Sequence, residues 1–304
     1  MIMLKPLKNL RIKLTNNCQL HCRHCYNTGY NNTNTMSDCI FDQVLVFLSQ
    51  LSNKQDYRII LHGGEPFLYD HDKIGRLIDC CNQLQFAAVS ACTNLVYKID
   101  DKMLNLLSKL YDRRLTSTGP VIETSWDYNI RFDNRKQLDL WESNVRSLIS
   151  RNIIPEVSIT LTNQLVDQLT PVEIYQYINN LGIRYIQFER LLVCGRASID
   201  LVPEITKLAK WLAIAAEQKP QNINVRFFDE IIDGLQGNCH GCIGRQCYDN
   251  QFTIDVNGTI YGCPVDYFHK RGSIFAGFEP NAYQFNMINC VPSQCINCRY
   301  ANVC

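Results

Sequence analysis

The chain has 304 residues, of which 46% are hydrophobic, so it can build a core in one large domain or in a large domain plus a small one. Its 30 basic and 29 acidic residues leave a net charge of +1, which gives no electrostatic argument for binding nucleic acid or an anionic membrane. No apolar stretch reaches the roughly 18 residues of a membrane span, and the first residues lack the apolar core of a signal peptide. We therefore expect a cytoplasmic protein, in which sixteen cysteines favour metal binding or catalysis over disulfides.

Strand and helix patterns alternate along most of the chain. Apolar runs of the β type predict six strands, at residues 10–15, 58–62, 87–92, 121–125, 156–161 and 184–189. Helical periodicity and capping residues predict helices at residues 37–51, 70–84, 100–110, 133–150, 171–181 and 203–218. Each crossover between parallel strands needs a helix, so this order predicts an α/β fold with a parallel sheet. Six such units fit a partial (β/α)6 TIM-like barrel.

Three cysteines follow the first predicted strand. Cys18, Cys22 and Cys25 have the spacing C-x3-C-x2-C. Three thiolates can hold three irons of a [4Fe–4S] cube and leave the fourth iron open to a substrate or cofactor, whereas a four-cysteine cluster only transfers electrons. A zinc site is the alternative, because His21 and His24 lie among the cysteines and zinc accepts four nitrogen or sulfur ligands.

A second motif, Gly63-Gly64-Glu65-Pro66, follows the second predicted strand. Two glycines let the backbone approach a ligand closely and adopt positive φ. The cysteine loop followed by this turn resembles the radical S-adenosylmethionine (SAM) enzymes. In that family SAM chelates the open iron through its amino and carboxylate groups, and one electron from the cluster splits it into methionine and a 5′-deoxyadenosyl radical. The resemblance implies that the turn receives the amino group of SAM.

The resemblance also assigns SAM-binding roles to residues at the carboxyl ends of other strands, where the active groups of a barrel lie. His24 stands where the family usually has an aromatic residue against the adenine, and an imidazole can stack there. The segments that contain Thr93 and Asn94, and Ser125 and Asp127, resemble those that reach the ribose and carboxylate of SAM. Ordinary turn chemistry at strand ends is the alternative for these four residues.

The composition changes near residue 220, because eight cysteines fall in the last 66 residues. We therefore predict a radical SAM barrel at residues 1–220 and a small cysteine-rich domain at residues 221–304. Within the second domain, Asn257-Gly258 lies between β-type residues and favours a hairpin with a type I′ turn. This hairpin would bring the cysteines on either side of it together.

The spacing of the C-terminal cysteines resembles the SPASM and twitch extensions of radical SAM enzymes, which hold auxiliary iron–sulfur clusters. The resemblance implies one auxiliary [4Fe–4S] cluster, with the ligands Cys247, Cys263, Cys295 and Cys298 and with Cys242 and Cys304 as substitutes. A second cluster would need Cys239 or Cys242 together with Cys290. A zinc ribbon on the same four residues is the alternative.

One further cysteine, Cys194, follows the sixth predicted strand, on the barrel face where the radical would form. A buried structural thiol is the ordinary interpretation, because free cysteine behaves as a small hydrophobe. The resemblance to radical epimerases offers another role, in which the thiol donates a hydrogen atom to a substrate radical.

The resemblance implies an oxidoreductase- or isomerase-type maturase that abstracts hydrogen from a substrate, followed by epimerisation, cross-linking, oxidation or rearrangement. SPASM-like relatives most often modify ribosomally made peptides, and others act on small polar molecules such as an aminoglycoside, sugar or nucleoside. Fold alone does not decide between these substrates. A reductase such as flavodoxin or ferredoxin would supply the electron. A non-enzymatic iron–sulfur or zinc protein is the remaining alternative.

Overall fold

Parallel strands that alternate with helices form the centre of the fold. The computed structural model describes residues 7–29, 34–114, 120–236, 250–265 and 270–278. The six predicted strands are all present, as β1 Lys8–Thr15, β2 Tyr57–Gly63, β3 Ala88–Cys92, β5 Ile122–Ser125, β6 Pro155–Leu161 and β7 Tyr185–Arg190. Each is parallel to its neighbour in the order β1-β2-β3-β5-β6-β7, so the predicted α/β fold with a parallel sheet is confirmed.

Helices connect the parallel strands, as the alternating pattern predicts. The described residues contain α1 Asp38–Gln50, α2 His71–Gln83, α3 Asp101–Leu107, α4 Arg135–Ser150, α5 Asn163–Gln168, α6 Pro171–Asn180, α7 Ile205–Glu217 and α8 Arg226–Leu235. Several begin at a capping side chain that accepts a hydrogen bond from the first turn, namely Ser37, Asp70, Asp100, Asn134 and Thr170. None of the helices that the structure describes is long and apolar enough to cross a membrane.

Short elements are where the sequence-based prediction differs from the structure. The helix predicted to reach residue 110 ends at Leu107, because the next turn tightens: the amides of Lys109 and Leu110 bond to carbonyls three residues back. The six residues of α5 are too few to show a helical period. α8 has no capping side chain at Val225, so its start carries no sequence signal. The two-residue strands β4 Tyr111–Asp112 and β8 Asn224–Val225 were not predicted either.

Side chains alternate between the two faces of each strand. One face packs against the helices; on β1 it carries Leu10, Ile12 and Leu14. The opposite face, which we call the inner face, is strongly polar. It carries Arg11, Lys13 and Thr15 of β1, Arg58 and His62 of β2, Ser90 and Cys92 of β3, Glu123 and Ser125 of β5, Glu156, Ser158 and Thr160 of β6, and Tyr185, Gln187 and Glu189 of β7.

The sheet curls so that inner-face side chains of distant strands meet. Burial opposes the ionisation of Glu123 on β5, but Arg226, Arg11 and Arg58 together lower the pKa of its carboxyl. Arg11 lies on β1, and β2 and β3 separate that strand from β5 in the sheet. The inner face is therefore concave, as in an open barrel.

A C-terminal hairpin extends the same sheet beyond β1. The strand β9 Gln251–Ile254 pairs in parallel with β1, and β10 Thr259–Tyr261 pairs antiparallel with β9. The predicted hairpin is thus confirmed, but the predicted type I′ turn is wrong. That turn needs positive φ at both central residues, whereas Asn257 is not among the described residues with positive φ. Instead Gly258 alone has a φ of 81°, and its amide bonds to the carbonyl of Asp255 at 2.8 Å.

Two more strands, β11 Lys270–Ser273 and β12 Gly277–Phe278, complete this end of the sheet. At the other end, β8 pairs in parallel with β7. The rings of Phe227 and Phe228 on α8 pack edge-on against Phe188 of β7. Residues on the C-terminal side of position 220 therefore contribute to both edges of the barrel sheet. The division into domains at that position stays a prediction.

Candidate active site

The cysteine loop begins where β1 ends, at the carboxyl edge of the sheet. The Cys18 thiol is exposed, and Cys22 and Cys25 are half-buried. The amide of Cys25 bonds to the carbonyl of Cys22 at 3.2 Å, and Thr15 accepts the amide of Asn17 at 3.1 Å. Three cysteines on one short loop suit a cluster that spreads its ligands over three irons.

A cation and an amide face the sulfurs from the other side of the loop. Burial raises the pKa of the Cys22 thiol to about 11, and Arg131 is the largest influence that lowers it. The largely buried Arg131 also interacts with Cys18. The Nδ2 atom of Asn94 donates a hydrogen bond to Cys18 Sγ at 3.5 Å. Positive charge and N–H donors beside thiolates fit an iron–sulfur cluster, whose bound metal keeps its thiols deprotonated.

The Gly63-Gly64 turn lies against the backbone of the cysteine loop. The Gly64 amide donates to the Thr15 carbonyl at 2.8 Å. A Cβ atom on Gly63, which has a φ of 137°, would lie 2.1 Å from the Thr15 carbonyl oxygen, and one on Gly64 would lie 2.3 Å from that of Asn17. The structure therefore requires both glycines for close contact between two backbone segments. The sequence-based reason, approach to a ligand, stays a prediction.

Glu65 is fully buried, and both of its carboxylate oxygens accept hydrogen bonds from the protein. Oε1 accepts from the Phe67 amide at 3.2 Å and from Thr93 Oγ1 at 2.8 Å, and Oε2 accepts from the Asn94 amide at 2.7 Å. Burial raises the pKa of Glu65 to about 7, although these hydrogen bonds oppose the rise. Glu65 therefore joins the turn to the end of β3. The buried Pro66 begins the short 3-10 helix that follows.

The segment after β3 is tied to the cysteine loop as well. Asn94 Oδ1 accepts the amide of Val96 at 2.8 Å and Nε2 of Gln19, in the cysteine loop, at 3.0 Å. Thr93 Oγ1 forms a hydrogen bond with Tyr97 Oη at 2.9 Å. The predicted residues Thr93 and Asn94 are therefore beside the triad, but most of their polar atoms already have protein partners.

Asp127, His24 and Arg131 form a second group at the triad. His24 Nε2 lies 3.2 Å from Asp127 Oδ2, which Arg131 also approaches to 3.3 Å. The amide of Thr160 donates to Oδ1 at 2.7 Å. Burial opposes the ionisation of Asp127, but His24 and Arg131 outweigh it and hold the pKa of the carboxyl below its usual range. Asp127 thus fixes the His24 ring beside the cysteines. Ser125 lies nearby, at the inner-face end of β5.

Cys194 approaches the same region from the end of β7. The amide of Arg196 donates to the Cys25 carbonyl at 3.0 Å, and Gly195 has a φ of 60°. A Cβ atom on Gly195 would lie 2.3 Å from the Cys25 oxygen. Burial raises the pKa of the half-buried Cys194, and the charges of Cys263 and Cys25 raise it further.

Of the predicted auxiliary ligands, only Cys263 falls in the part of the chain that the structure describes. The others, Cys242, Cys247, Cys295, Cys298 and Cys304, lie outside the described residues. In the described ranges, no three His, Cys, Asp or Glu side chains are grouped closely enough to hold a single metal ion.

The structure adds residues near the triad that the sequence-based prediction missed. Tyr26 Oη forms a 3.0 Å hydrogen bond with His62 Nε2. Burial, with help from Arg11 and Lys13, holds the pKa of His62 well below its ordinary value. The buried Lys13 donates from Nζ to Asn27 Oδ1 at 2.8 Å. The alternation of strand side chains could have placed Lys13 and His62 on this face.

Comparison with known proteins agrees with this geometry. A family model for a 4Fe-4S single cluster domain matches residues 11–115, which include the triad, the Gly63-Gly64 turn and the segment after β3. An uncharacterised protein of Methanocaldococcus jannaschii is 27% identical over 273 residues, which cover 86% of this chain and 87% of that protein.

Two solved radical SAM enzymes share the fold over nearly the whole chain. The structure of anSMEcpe with bound AdoMet, which is SAM, has a TM-score of 0.78 at 18% identity and matches 99% of this chain and 85% of that one. Streptococcus suis SuiB bound to precursor peptide SuiA has a TM-score of 0.67 at 15% identity, over 99% and 71%. The fold is the partial barrel of radical SAM enzymes. At 18% and 15% identity, the similarity to these two structures is a similarity of fold.

Proposed function

We propose that this protein is an enzyme that reductively cleaves SAM and abstracts a hydrogen atom from its substrate. One observation carries the proposal. The Gly63-Gly64 turn, Glu65 and Asn94 hold the triad loop in place through hydrogen bonds, and this loop lies at the carboxyl edge of a concave polar face. Cys18, Cys22 and Cys25 would hold the [4Fe–4S] cluster, with SAM beside it. When bound, the cluster and SAM supply a 5′-deoxyadenosyl radical.

The protein's own groups would position and shield this chemistry. Arg131 and Asn94 stabilise the thiolate forms of the triad. Asp127 holds the His24 ring in a fixed orientation, in which it can stack on the adenine. Gly63, Gly64, Glu65 and Pro66 set the turn that would receive the amino group of SAM, and Thr93, Asn94 and Ser125 would reach its ribose and carboxylate. The inner face, next to this edge, would bind the substrate.

A ribosomally made peptide is the first candidate substrate, with epimerisation, cross-linking or oxidation as the outcome. Support comes from the two relatives of the same fold, since anSMEcpe is known with a bound Cp18Cys peptide and SuiB with its precursor peptide SuiA. A small polar molecule, such as an aminoglycoside, sugar or nucleoside, is the second candidate. The observation that favours it is the charge density of the inner face, where Arg11, Arg226 and Glu123 interact.

An auxiliary [4Fe–4S] cluster would accept or relay an electron near the substrate. Cys263 supports this, because its charge reaches Cys194, which lies at the end of β7. Its partners would be Cys247, Cys295 and Cys298, with Cys242 and Cys304 as substitutes. We place the enzyme in the cytoplasm, with a flavodoxin or ferredoxin as the electron donor.

Anaerobic reconstitution with iron and sulfide, followed by assay of SAM cleavage, tests the proposal. Two four-iron clusters would give about eight irons per chain, and the triple variant Cys18→Ala, Cys22→Ala, Cys25→Ala should keep about four and form no 5′-deoxyadenosine. Cys39→Ala is the matched control, because this exposed cysteine lies on α1. Zinc in place of iron in the native protein would contradict the proposal.

Cys194 is the proposed hydrogen-atom donor if the reaction is an epimerisation. The weak S–H bond of Cys194 would break, and its hydrogen atom would pass to the substrate radical. This step would leave a thiyl radical on Cys194, and one electron from the reductase together with one proton would restore the thiol. Cys194→Ala should therefore still form 5′-deoxyadenosine but lose inverted product and solvent deuterium incorporation. Unchanged epimerised product from this variant would leave Cys194 as a structural thiol.

A further inference from the structure

Four carboxylates surround one guanidinium on the β5–β7 side of the inner face. Arg226 interacts with Glu123 of β5, Glu156 of β6, Glu189 of β7 and Glu230 of α8, and its Nε atom lies 3.0 Å from Glu156 Oε1. We call these four glutamates the acidic wall. A single arginine shared by four carboxylates leaves this part of the face short of positive charge, although Arg11 and Arg58 reach Glu123 from the far side.

Glu189 is the member of the wall closest to the carboxyl edge, where the triad lies. In the described part of the chain no residue forms an ion pair or hydrogen bond with its side chain, and the residue is exposed. The surrounding protein partly shields the Glu189 carboxylate from water, and this desolvation is the first cause that raises its pKa to about 7. Glu123, Glu230 and Glu156 raise the pKa further, whereas Arg226 lowers it. A cation would relieve this repulsion.

Gln187 supplies an independent sign that a ligand belongs here. It lies two residues before Glu189 on the same face of β7 and is only 4% exposed. Glu230 of α8 lies close enough for the Gln187 side chain to lower its pKa, and Gln187 Oε1 has no hydrogen-bond partner among the described residues. A buried acceptor without a donor is costly, so a donor supplied by a ligand would stabilise it.

The space and the donor geometry limit what the ligand can be. Ser125 and Ser158, the neighbours of Gln187 across the sheet, have small side chains. The wall does not converge on one point, since no three acidic, histidine or cysteine side chains of the described residues could hold one metal ion. An ammonium group has three N–H donors and a single charge, and can satisfy Glu189 and Gln187 Oε1 together.

We propose that the acidic wall binds an alkylammonium group of the substrate, through Glu189 and Gln187 Oε1. This inference rests on the proposed function, because the wall would then hold the substrate below the SAM site. The same chemistry has two sources, the lysine side chain of a peptide or the amino group of a small polar molecule. The Glu189 end of the site is nearest the reaction edge, so the ammonium group would anchor the substrate while its reacting C–H bond lies toward the triad.

Calorimetry on the anaerobically reconstituted enzyme with SAM tests the proposal. The probes are N-acetyl-lysine amide against its neutral counterpart N-acetyl-norleucine amide, and 2-deoxystreptamine against neutral scyllo-inositol. At least one ammonium probe should bind about tenfold more tightly than its neutral counterpart. Binding of the lysine probe would indicate a peptide, and binding of deoxystreptamine a small molecule. If neither ammonium probe exceeds its neutral counterpart at millimolar concentration, the proposal is wrong.

Variants locate the effect. Glu189→Gln keeps the shape of an exposed side chain and should abolish the ammonium preference, and Gln187→Leu should reduce it. Glu217→Gln, at the exposed end of α7, is the control and should keep it. An unchanged preference in Glu189→Gln overturns the proposal. Formation of 5′-deoxyadenosine is measured in the same samples, so that failure of SAM cleavage with an intact ammonium preference would count against the proposed function alone.

Discussion

The surroundings of the cysteine triad and the acidic wall are both polar, yet they differ in how many of their polar groups have hydrogen-bond or ion-pair partners. Around the triad, Glu65 accepts three hydrogen bonds and Asp127 is held by His24, Arg131 and the Thr160 amide. In the acidic wall, Glu189 has no ion pair among the described residues.

The protein itself pairs the polar groups around the triad, whereas in the acidic wall we expect the substrate to supply the missing partners. Fully satisfied networks fix one geometry, which suits a site that has to hold the same cofactor in every catalytic cycle. Unpaired acceptors and repelling carboxylates in the wall destabilise the ligand-free protein. A cationic ligand that pairs with them removes this penalty, so the wall favours such a ligand over a neutral one. Changes near the triad should therefore damage SAM chemistry with any substrate, whereas changes in the wall should affect only substrate binding.

The largest expected effect comes from the same substitution at two glycines. Gly64→Ala should lower the free energy of unfolding on the order of 3 kcal/mol, because its Cβ would lie 2.3 Å from the Asn17 oxygen. Gly75→Ala, on α2, meets nothing closer than 3.8 Å and should stabilise the protein by about 1 kcal/mol through helix propensity. Thermal unfolding and 5′-deoxyadenosine formation are measured for both. Equal behaviour of the two variants would show that the turn does not brace the cysteine loop.

Removing the charge beside the sulfurs should change the cluster without removing it. Arg131→Met takes a buried cation away from Cys22 and Cys18, so it should lower the cluster's reduction potential, on the order of 50 mV. A redox titration followed by electron paramagnetic resonance measures the potential. Arg135→Met is the control, since Arg135 is exposed on α4 and pairs with Asp139. An unchanged potential in Arg131→Met would mean that its charge does not reach the cluster.

Glu65→Gln tests whether the network around the triad needs a carboxylate. The amide nitrogen of glutamine cannot accept a hydrogen bond, so either the Asn94 amide or the pair from Thr93 and Phe67 would lose its acceptor. We expect a loss of about 1–3 kcal/mol in the free energy of unfolding. The exposed Glu217→Gln should cost nothing measurable in the same denaturant titration. Full stability of Glu65→Gln would indicate that a protonated side chain already occupies this site.

The contrast also predicts a smaller effect of pH on the acidic wall. The pKa of Glu189 is about 7, so its carboxylate gains charge as pH rises through this value, while an alkylammonium probe keeps its own charge. Ammonium binding should therefore strengthen several-fold between about pH 6 and pH 8. The groups that face Glu189 are Arg226, Glu123, Glu156 and Glu230. Glu189→Gln should flatten the profile, and a profile that keeps its slope in this variant would assign the titration to another member of the wall.

Sequence patterns predicted the six barrel strands well because the signals for a strand are local. Six apolar runs and the capping residues specify the six barrel strands, and the cysteine spacing is read directly from the loop. The prediction could not find Arg131, because only the fold brings its guanidinium to Cys22. It did not foresee that Gly63 and Gly64 are also needed for close contact with the backbone of the cysteine loop. The acidic wall collects residues from three strands and α8, and no single segment of sequence carries its pattern.

The most direct test of the central claim is electron paramagnetic resonance of the reduced, reconstituted enzyme before and after SAM is added. The account predicts a [4Fe–4S]+ signal that changes on addition of SAM, because the triad leaves one iron open. In the Cys18, Cys22 and Cys25 triple variant, any remaining cluster signal should not respond to SAM. A parent enzyme whose iron–sulfur signal is unaffected by SAM, or which holds zinc at the triad, would contradict the account.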